Sequence, residues 1–67
     1  MKYYEIHVFL SRGNSYSRFF KTEEILETDE DIISYALENL DNFEEDFDYV
    51  DYAMEISEEE YNDAIGI

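Results

Sequence analysis

The side chains of this protein that could do chemistry are mostly carboxylates. Residues 41–63, DNFEEDFDYVDYAMEISEEEYND, contain eleven Asp and Glu side chains and no Lys or Arg. Carboxylates can bind calcium, transfer protons in catalysis, or present negative charge to a basic partner. The spacing of these acids and the types of residue around them indicate which of these three functions the segment supports.

The acidic segment lacks the spacing of a calcium-binding loop. An EF-hand loop needs acids at alternate positions and a glycine at the sixth, and neither occurs when the count starts at Asp41 or Asp46. A zinc site needs several Cys or His ligands, but the chain has no cysteine and a single histidine, His7. We therefore predict no metal site and no cofactor.

Catalysis is not indicated by the sequence either. His7 stands between Ile6 and Val8 in a strand pattern, where a lone histidine is usually a packing residue, and the partners of a catalytic triad are missing. Pairs of carboxylates carry no information among nineteen acids. We predict that the protein is not an enzyme and has no catalytic residues.

Length and composition indicate one small folded domain over residues 1–67. A net charge of −15 is typical of disordered acidic tails, but 45% hydrophobic residues, with seven Tyr and five Phe, supply enough apolar surface for a core. A core of this size gives modest stability, and with no cysteine for disulfides, a homodimer contact or a partner could supplement it.

Charge divides the chain into two unlike segments. Residues 1–21 contain all four Lys and Arg residues and one acid, Glu5, whereas residues 22–67 contain the other eighteen acids. A protein surface with this much negative charge repels phosphates, and this argues against direct nucleic-acid binding. The start of the chain lacks the apolar run of a signal peptide, and no stretch is long enough to span a membrane. These features predict a cytoplasmic protein.

Hydrophobic periodicity predicts the order ββαβα. Residues 3–11 and 15–22 alternate as two strands around Gly13-Asn14, a two-residue hairpin signal. Helical spacing follows over 29–41, with Thr28 as N-cap and an apolar side formed by Ile33, Ala36, Leu37 and Leu40, with Ile32 beside them.

The third strand and second helix complete this pattern. Residues 47–57 alternate again, with Val50, Tyr52, Met54 and Ile56 on one predicted face, and Ser57 with Glu60 has the spacing of a capping box that opens a C-terminal helix. The predicted fold is α+β, a three-stranded antiparallel sheet with one or two helices on one face.

The acids of the helix and third strand are predicted to lie on the surface at phosphate-like spacings. Same-face residues lie about 6.6 Å apart in a strand and about 5 to 6 Å apart on a helix, a separation of the same order as that of neighbouring DNA phosphates. Acids near the C-terminus of the helix also oppose its dipole, at a cost of about 0.3–1 kcal/mol each. The predicted partner-binding residues are Asp31, Glu38, Asp41, Glu44, Glu45, Asp48, Asp51 and Glu55.

Two stretches, ETDEDIISYALENLD and NFEEDFDYVDYAMEISEEEYNDA, interleave aromatic residues with acids. In composition and charge pattern they resemble the phage-encoded DNA mimics, which include anti-CRISPR proteins, anti-restriction proteins and inhibitors of uracil-DNA glycosylase. This resemblance implies an inhibitor that occupies the basic nucleic-acid channel of a host defence complex, most simply of the anti-CRISPR type.

Other interpretations of the acidity remain. High net charge can serve solubility or adaptation to a salt-rich cytoplasm, although general acidification does not explain a net positive first segment. The chain could also be an antitoxin-like or regulatory binding module that contacts a partner through the hairpin aromatics Tyr3, Phe9 and Phe19. Mimicry requires the carboxylates, whereas this second mode of binding requires the aromatic rings.

Overall fold

The computed structural model describes residues 1–10, 13–41, 43 and 49–66. Five elements follow one another in the order ββαβα, which confirms the predicted α+β fold. They are β1 (Lys2–Phe9), β2 (Ser15–Thr22), α1 (Asp29–Asn39), β3 (Tyr49–Ile56) and α2 (Glu58–Ile65).

β1 is the central strand of a three-stranded antiparallel sheet with the order β2-β1-β3. Ile6, in the middle of β1, lies opposite Arg18 of β2 on one side and Ala53 of β3 on the other. The pairing of β3, which the sequence does not determine, is therefore to β1.

The β1–β2 hairpin is confirmed, but its turn is not centred on Gly13-Asn14. Phe9 pairs with Ser15, and the backbone N–H of Leu10 donates to the carbonyl of Asn14 at 2.7 Å, so Asn14 belongs to the paired part of the hairpin. Gly13 has φ = 80°, a left-handed conformation that glycine adopts without steric cost.

A β-bulge in β3 changes which of its residues face the core. His7 pairs with Tyr52 and Val8 with Val50, so Asp51 is an extra residue without a partner in β1. The predicted alternation is confirmed for Tyr52, Met54 and Ile56, which share one face, but is wrong for Val50. Val50 instead packs with Ala53 against the main core, because the bulge shifts the register by one residue.

The main core lies between the sheet and α1. Tyr4, Ile6 and Val8 of β1 are completely buried on this face, and Ile32 and Ala36 of α1 pack against them. The predicted apolar side of the helix is confirmed by the burial of Ile32 and Ala36, but it is wrong for Leu37, which is 40% exposed. Ring stacking extends the contact, with the Tyr35 and Phe20 rings 5.2 Å apart.

Phe43 completes this core from the segment after α1. Its side chain is fully buried, and the guanidinium of Arg18 lies 5.9 Å from the centre of its ring. Residues 42–46 fall between the predicted helix and the predicted third strand, and the sequence gave no reason to place one of them in the core. Tertiary packing gives this loop residue its structural role.

Both helices begin at the predicted capping residues. The Thr28 hydroxyl accepts a hydrogen bond from the backbone N–H of Asp31 at 3.1 Å. Ser57 and Glu60 form a reciprocal capping box, which satisfies two backbone donors that the helix itself leaves free. Gly66 caps the C-terminus of α2, and its φ of 84° is the left-handed conformation common at helix C-termini.

α1 covers the face of the sheet that holds Tyr4, whereas α2 packs at one end of the other face. The rings of Tyr61 in α2 and Tyr3 in β1 lie 5.0 Å apart, and Ile56 is buried on the same side of the sheet as Tyr3. Within the ranges described, no helix has the length and apolar character needed to cross a membrane. The rest of this second face is left uncovered by α2.

The burial of Phe43 predicts a large effect of removing its ring. Phe43→Ala should lower the free energy of unfolding by about 3–5 kcal/mol, because it removes a buried aromatic side chain from a small core. Leu37→Ala is the matched control and should change it by less than about 0.5 kcal/mol, since Leu37 is exposed. Urea denaturation followed by circular dichroism measures both, and equal effects would show that Phe43 does not support the core.

Candidate functional site

The first candidate surface is acidic and is formed by α1, the residues just after its C-terminus, and β3. Asp31 and Glu38 are exposed on α1, Asp41 is exposed just beyond its end, and Asp51 and Glu55 are exposed on β3. The remaining three predicted residues, Glu44, Glu45 and Asp48, lie outside the described residues. We call the five described side chains the acidic surface.

The acidic surface is formed by elements that contact one another. α1 packs against β3 and β1, so the acids of α1 and β3 belong to neighbouring elements. β2 carries Arg18 and Lys21 and forms the opposite edge of the sheet. The separation of charge is not complete, because α2, which carries Glu58, Glu59, Glu60 and Asp63, packs against β1 and β2.

Two members of the acidic surface have a cation nearby. The Lys2 ammonium lies 3.2 Å from Glu55 Oε2, and this is the one ion pair found within the described ranges. Arg18 donates a long hydrogen bond of 3.4 Å to the backbone carbonyl of Asp41. α1 has no basic residue in its last turn, but β2 supplies a cation near its C-terminal end.

Asp31, Glu38 and Asp51 are thus the most available charges of the acidic surface. Each is exposed, and none takes part in the ion pair that the structure describes. An exposed ion pair such as Lys2–Glu55 contributes only about 0–1 kcal/mol, so Glu55 could exchange its partner at little cost. These carboxylates can form charge-assisted contacts with a basic surface.

The second candidate surface is the face of the sheet opposite α1, which we call the open face. Tyr52 and His7 stack with ring centres 5.3 Å apart, and Tyr49 and Phe9 stack at 5.1 Å. Tyr49 is 58% exposed, Tyr52 39% and Met54 47%. Large exposed apolar side chains on one face often mark an interaction site.

Glu5 lies at the centre of the open face and accepts two hydrogen bonds. The Tyr52 hydroxyl donates to Glu5 Oε2 at 2.7 Å, and the Ser17 hydroxyl donates to the same oxygen at 3.0 Å. Ser17 has one proton, which it donates to Glu5, so the 2.8 Å contact between its oxygen and His7 Nδ1 requires that His7 donate. The acid is thereby held in one position.

The Glu5 carboxylate also changes the acidity of Tyr52. The hydrogen bond to Glu5 raises the pKa of Tyr52 above its ordinary value of 10.0, and desolvation adds to the effect. A similar bond from Tyr3 to Glu58, at 3.0 Å, raises the pKa of Tyr3. In both cases ionisation would place a phenolate against a carboxylate and remove the donated proton.

The hairpin aromatics predicted as an alternative binding surface do share the open face. Tyr3, Phe9 and Phe19 are all half-buried, because Tyr3 packs on Tyr61 and Phe9 packs on Tyr49. The more exposed rings come from β3, which the sequence prediction did not include in this surface. The bulge was not apparent in the sequence, so β3 could not be matched to the hairpin.

The described part of the chain has neither a detectable pocket nor a group of three or more metal-ligating side chains. Comparison with protein-family models, curated proteins and solved structures finds no match to this chain. Function is therefore inferred from the charges and contacts of the acidic surface and the open face.

The imbalance of charge predicts that salt stabilises the protein at neutral pH. Raising NaCl from 0.1 to 1 M shortens the Debye length from about 10 Å to about 3 Å. Screening weakens repulsion and attraction alike, but the repulsive pairs of acids far outnumber the attractive ion pairs. The thermal midpoint should therefore rise by several degrees. Sucrose in place of NaCl controls for solvent exclusion, and an unchanged or lower midpoint in NaCl would contradict significant repulsion in the folded protein.

The Tyr52–Glu5 bond predicts a pH-dependent effect of Tyr52→Phe. A pKa higher in the folded than in the unfolded protein gives stabilisation that is complete below about pH 10 and is lost as pH rises through the folded pKa. The variant should be less stable than the wild type at neutral pH, and the difference should narrow at alkaline pH. Urea midpoints across pH measure it, with Tyr49→Phe as control; a constant difference would contradict the assignment.

Proposed function

We propose that the protein is a small, non-catalytic, acidic inhibitor that mimics nucleic acid. In this proposal it acts in the cytoplasm and occupies the basic nucleic-acid channel of a host defence complex, as an anti-CRISPR-type protein would. The acidic surface replaces the phosphate backbone of the natural ligand. The protein itself binds no nucleic acid, because its net charge of −15 repels phosphates.

The observation that carries the proposal is the group of exposed acids on two neighbouring elements, α1 and β3, which contain no Lys or Arg. β3 and α1 present Asp31, Glu38 and Asp51 without a cation in their own sequences, while Arg18 and Lys21 lie on β2 at the other edge. A uniform acidic coat that served only solubility would not require this arrangement. A docking surface for one basic partner would.

Electrostatic attraction explains how this arrangement would promote association with a basic partner. Complementary potentials accelerate association and orient the partners, and this acceleration falls as ionic strength rises. Repulsion among the acids, which destabilises the free protein, is reduced when the partner supplies opposite charge. Binding energy is thus gained both from new contacts and from relief of a cost present in the free protein.

A second candidate function is a regulatory or antitoxin-like module that binds a partner mainly through aromatic contacts. The observation that favours it is the open face, where Tyr49, Tyr52 and Met54 are exposed beside the hairpin rings. Such binding would depend weakly on salt, because burial of apolar surface is not screened by ions.

Neutralising the most available carboxylates should weaken inhibition. We expect the triple variant Asp31→Asn, Glu38→Gln, Asp51→Asn to compete about tenfold less well with labelled DNA or RNA for a basic host defence protein. This corresponds to about 0.5 kcal/mol per exposed charge. The salt dependence of binding should also decrease.

A triple variant with the same change in charge provides the control. Glu27→Gln, Glu59→Gln, Asp63→Asn removes three exposed acids outside the acidic surface and should weaken competition much less. Circular dichroism melts verify that both variants fold. Equal effects of the two triples would indicate only general charge, and simultaneous binding of protein and nucleic acid to the target would contradict mimicry.

A further inference from the structure

Glu5 is an unusual residue for its position. It is the only acid among residues 1–21, and it lies at the centre of the open face rather than on the acidic surface. Among the described side chains, Tyr52 and Ser17 each donate a hydrogen bond to this carboxylate. Oε2 accepts both bonds. Oε1 of the same group is therefore free of the donors that hold Glu5 in place.

Apolar side chains flank this carboxylate on both neighbouring strands. Met54 of β3 lies directly opposite Glu5 on one side, and Phe19 of β2 lies opposite it on the other. The Tyr52 ring, held by its bond to Glu5 and by stacking on His7, adds an exposed aromatic surface next to the acid. A fixed carboxylate among rings and a thioether combines the two features that recognise an organic cation.

We propose that the centre of the open face binds the guanidinium group of an arginine presented by the basic partner. Glu5 Oε1 accepts hydrogen bonds from the guanidinium, and its planar cation packs against Tyr52 and Met54. Arginine fits better than lysine, because guanidinium stacks on aromatic rings and is more weakly hydrated than an ammonium group.

Charge selects a basic partner over other occupants of this face. A second copy of the chain would bring another charge of −15 to the surface, and a nucleic acid would bring phosphates, so both are repelled. The site rests on the proposed function for the presence of a basic partner. It adds that part of the contact is a specific arginine recognition and not only long-range attraction.

The test compares oligoarginine and oligolysine peptides of equal length in titration calorimetry at physiological salt. The wild type should bind oligoarginine several-fold more tightly, and Glu5→Gln should weaken oligoarginine binding about tenfold, as expected for loss of a charge-assisted hydrogen bond. Glu27→Gln removes the same charge from an exposed position outside both surfaces and should have a small effect on both peptides. Tyr52→Leu should reduce the preference for arginine over lysine.

Equal affinity of the wild type for the two peptides would overturn the proposal, as would equal losses in Glu5→Gln and Glu27→Gln. If Glu5→Gln fails to fold, amide chemical shifts of the wild-type protein titrated with oligoarginine provide the test. Changes should centre on Glu5, Tyr52 and Met54, and changes confined to the acidic surface would overturn the site.

The two proposals fail separately. An arginine preference in a protein that does not compete with nucleic acid would support this site and contradict the proposed mimicry. Competition without an arginine preference would support mimicry and overturn this site.

Discussion

The burial of β1 is the constraint on which the rest of the structure depends. Tyr4, Ile6 and Val8 are completely shielded by α1 and its neighbours, and β1 pairs with both other strands. Apolar burial at about 25 cal/mol per Å² must offset repulsion among nineteen acids and the entropy of ordering a short chain. The central strand itself carries only one acid, Glu5, so the repulsive charge is kept away from the middle of the sheet.

This placement of β1 also gives the protein two surfaces of different character. The acidic surface lies on α1 and β3, which contain no Lys or Arg, and its summed charge acts beyond contact distance. The open face supplies aromatic rings and a fixed carboxylate, which act only at contact distance. A basic partner could thus be attracted by the acidic surface and discriminated by the open face, so that charge and aromatic contacts serve successive steps of one binding event.

Local patterns in the sequence were sufficient to predict the elements and the separation of charge. Alternation identified the three strands, Thr28 and the Ser57–Glu60 pair marked the starts of both helices, and the positions of Lys and Arg defined the two segments. Each of these signals depends on residues within a few positions of one another. The exposure of Asp31 and Glu38 followed in the same way, from helical periodicity alone.

Contacts between distant residues were decided only by the tertiary structure. The sequence determined that β3 exists. Its pairing with β1 brings Tyr52 to Glu5, and the bulge at Asp51 turns Val50 toward the core. The approach of Arg18 to the end of α1 has the same origin. Strand register is set by the packing of the whole sheet, and a shift of one residue reverses the faces, so no local pattern could have determined these contacts.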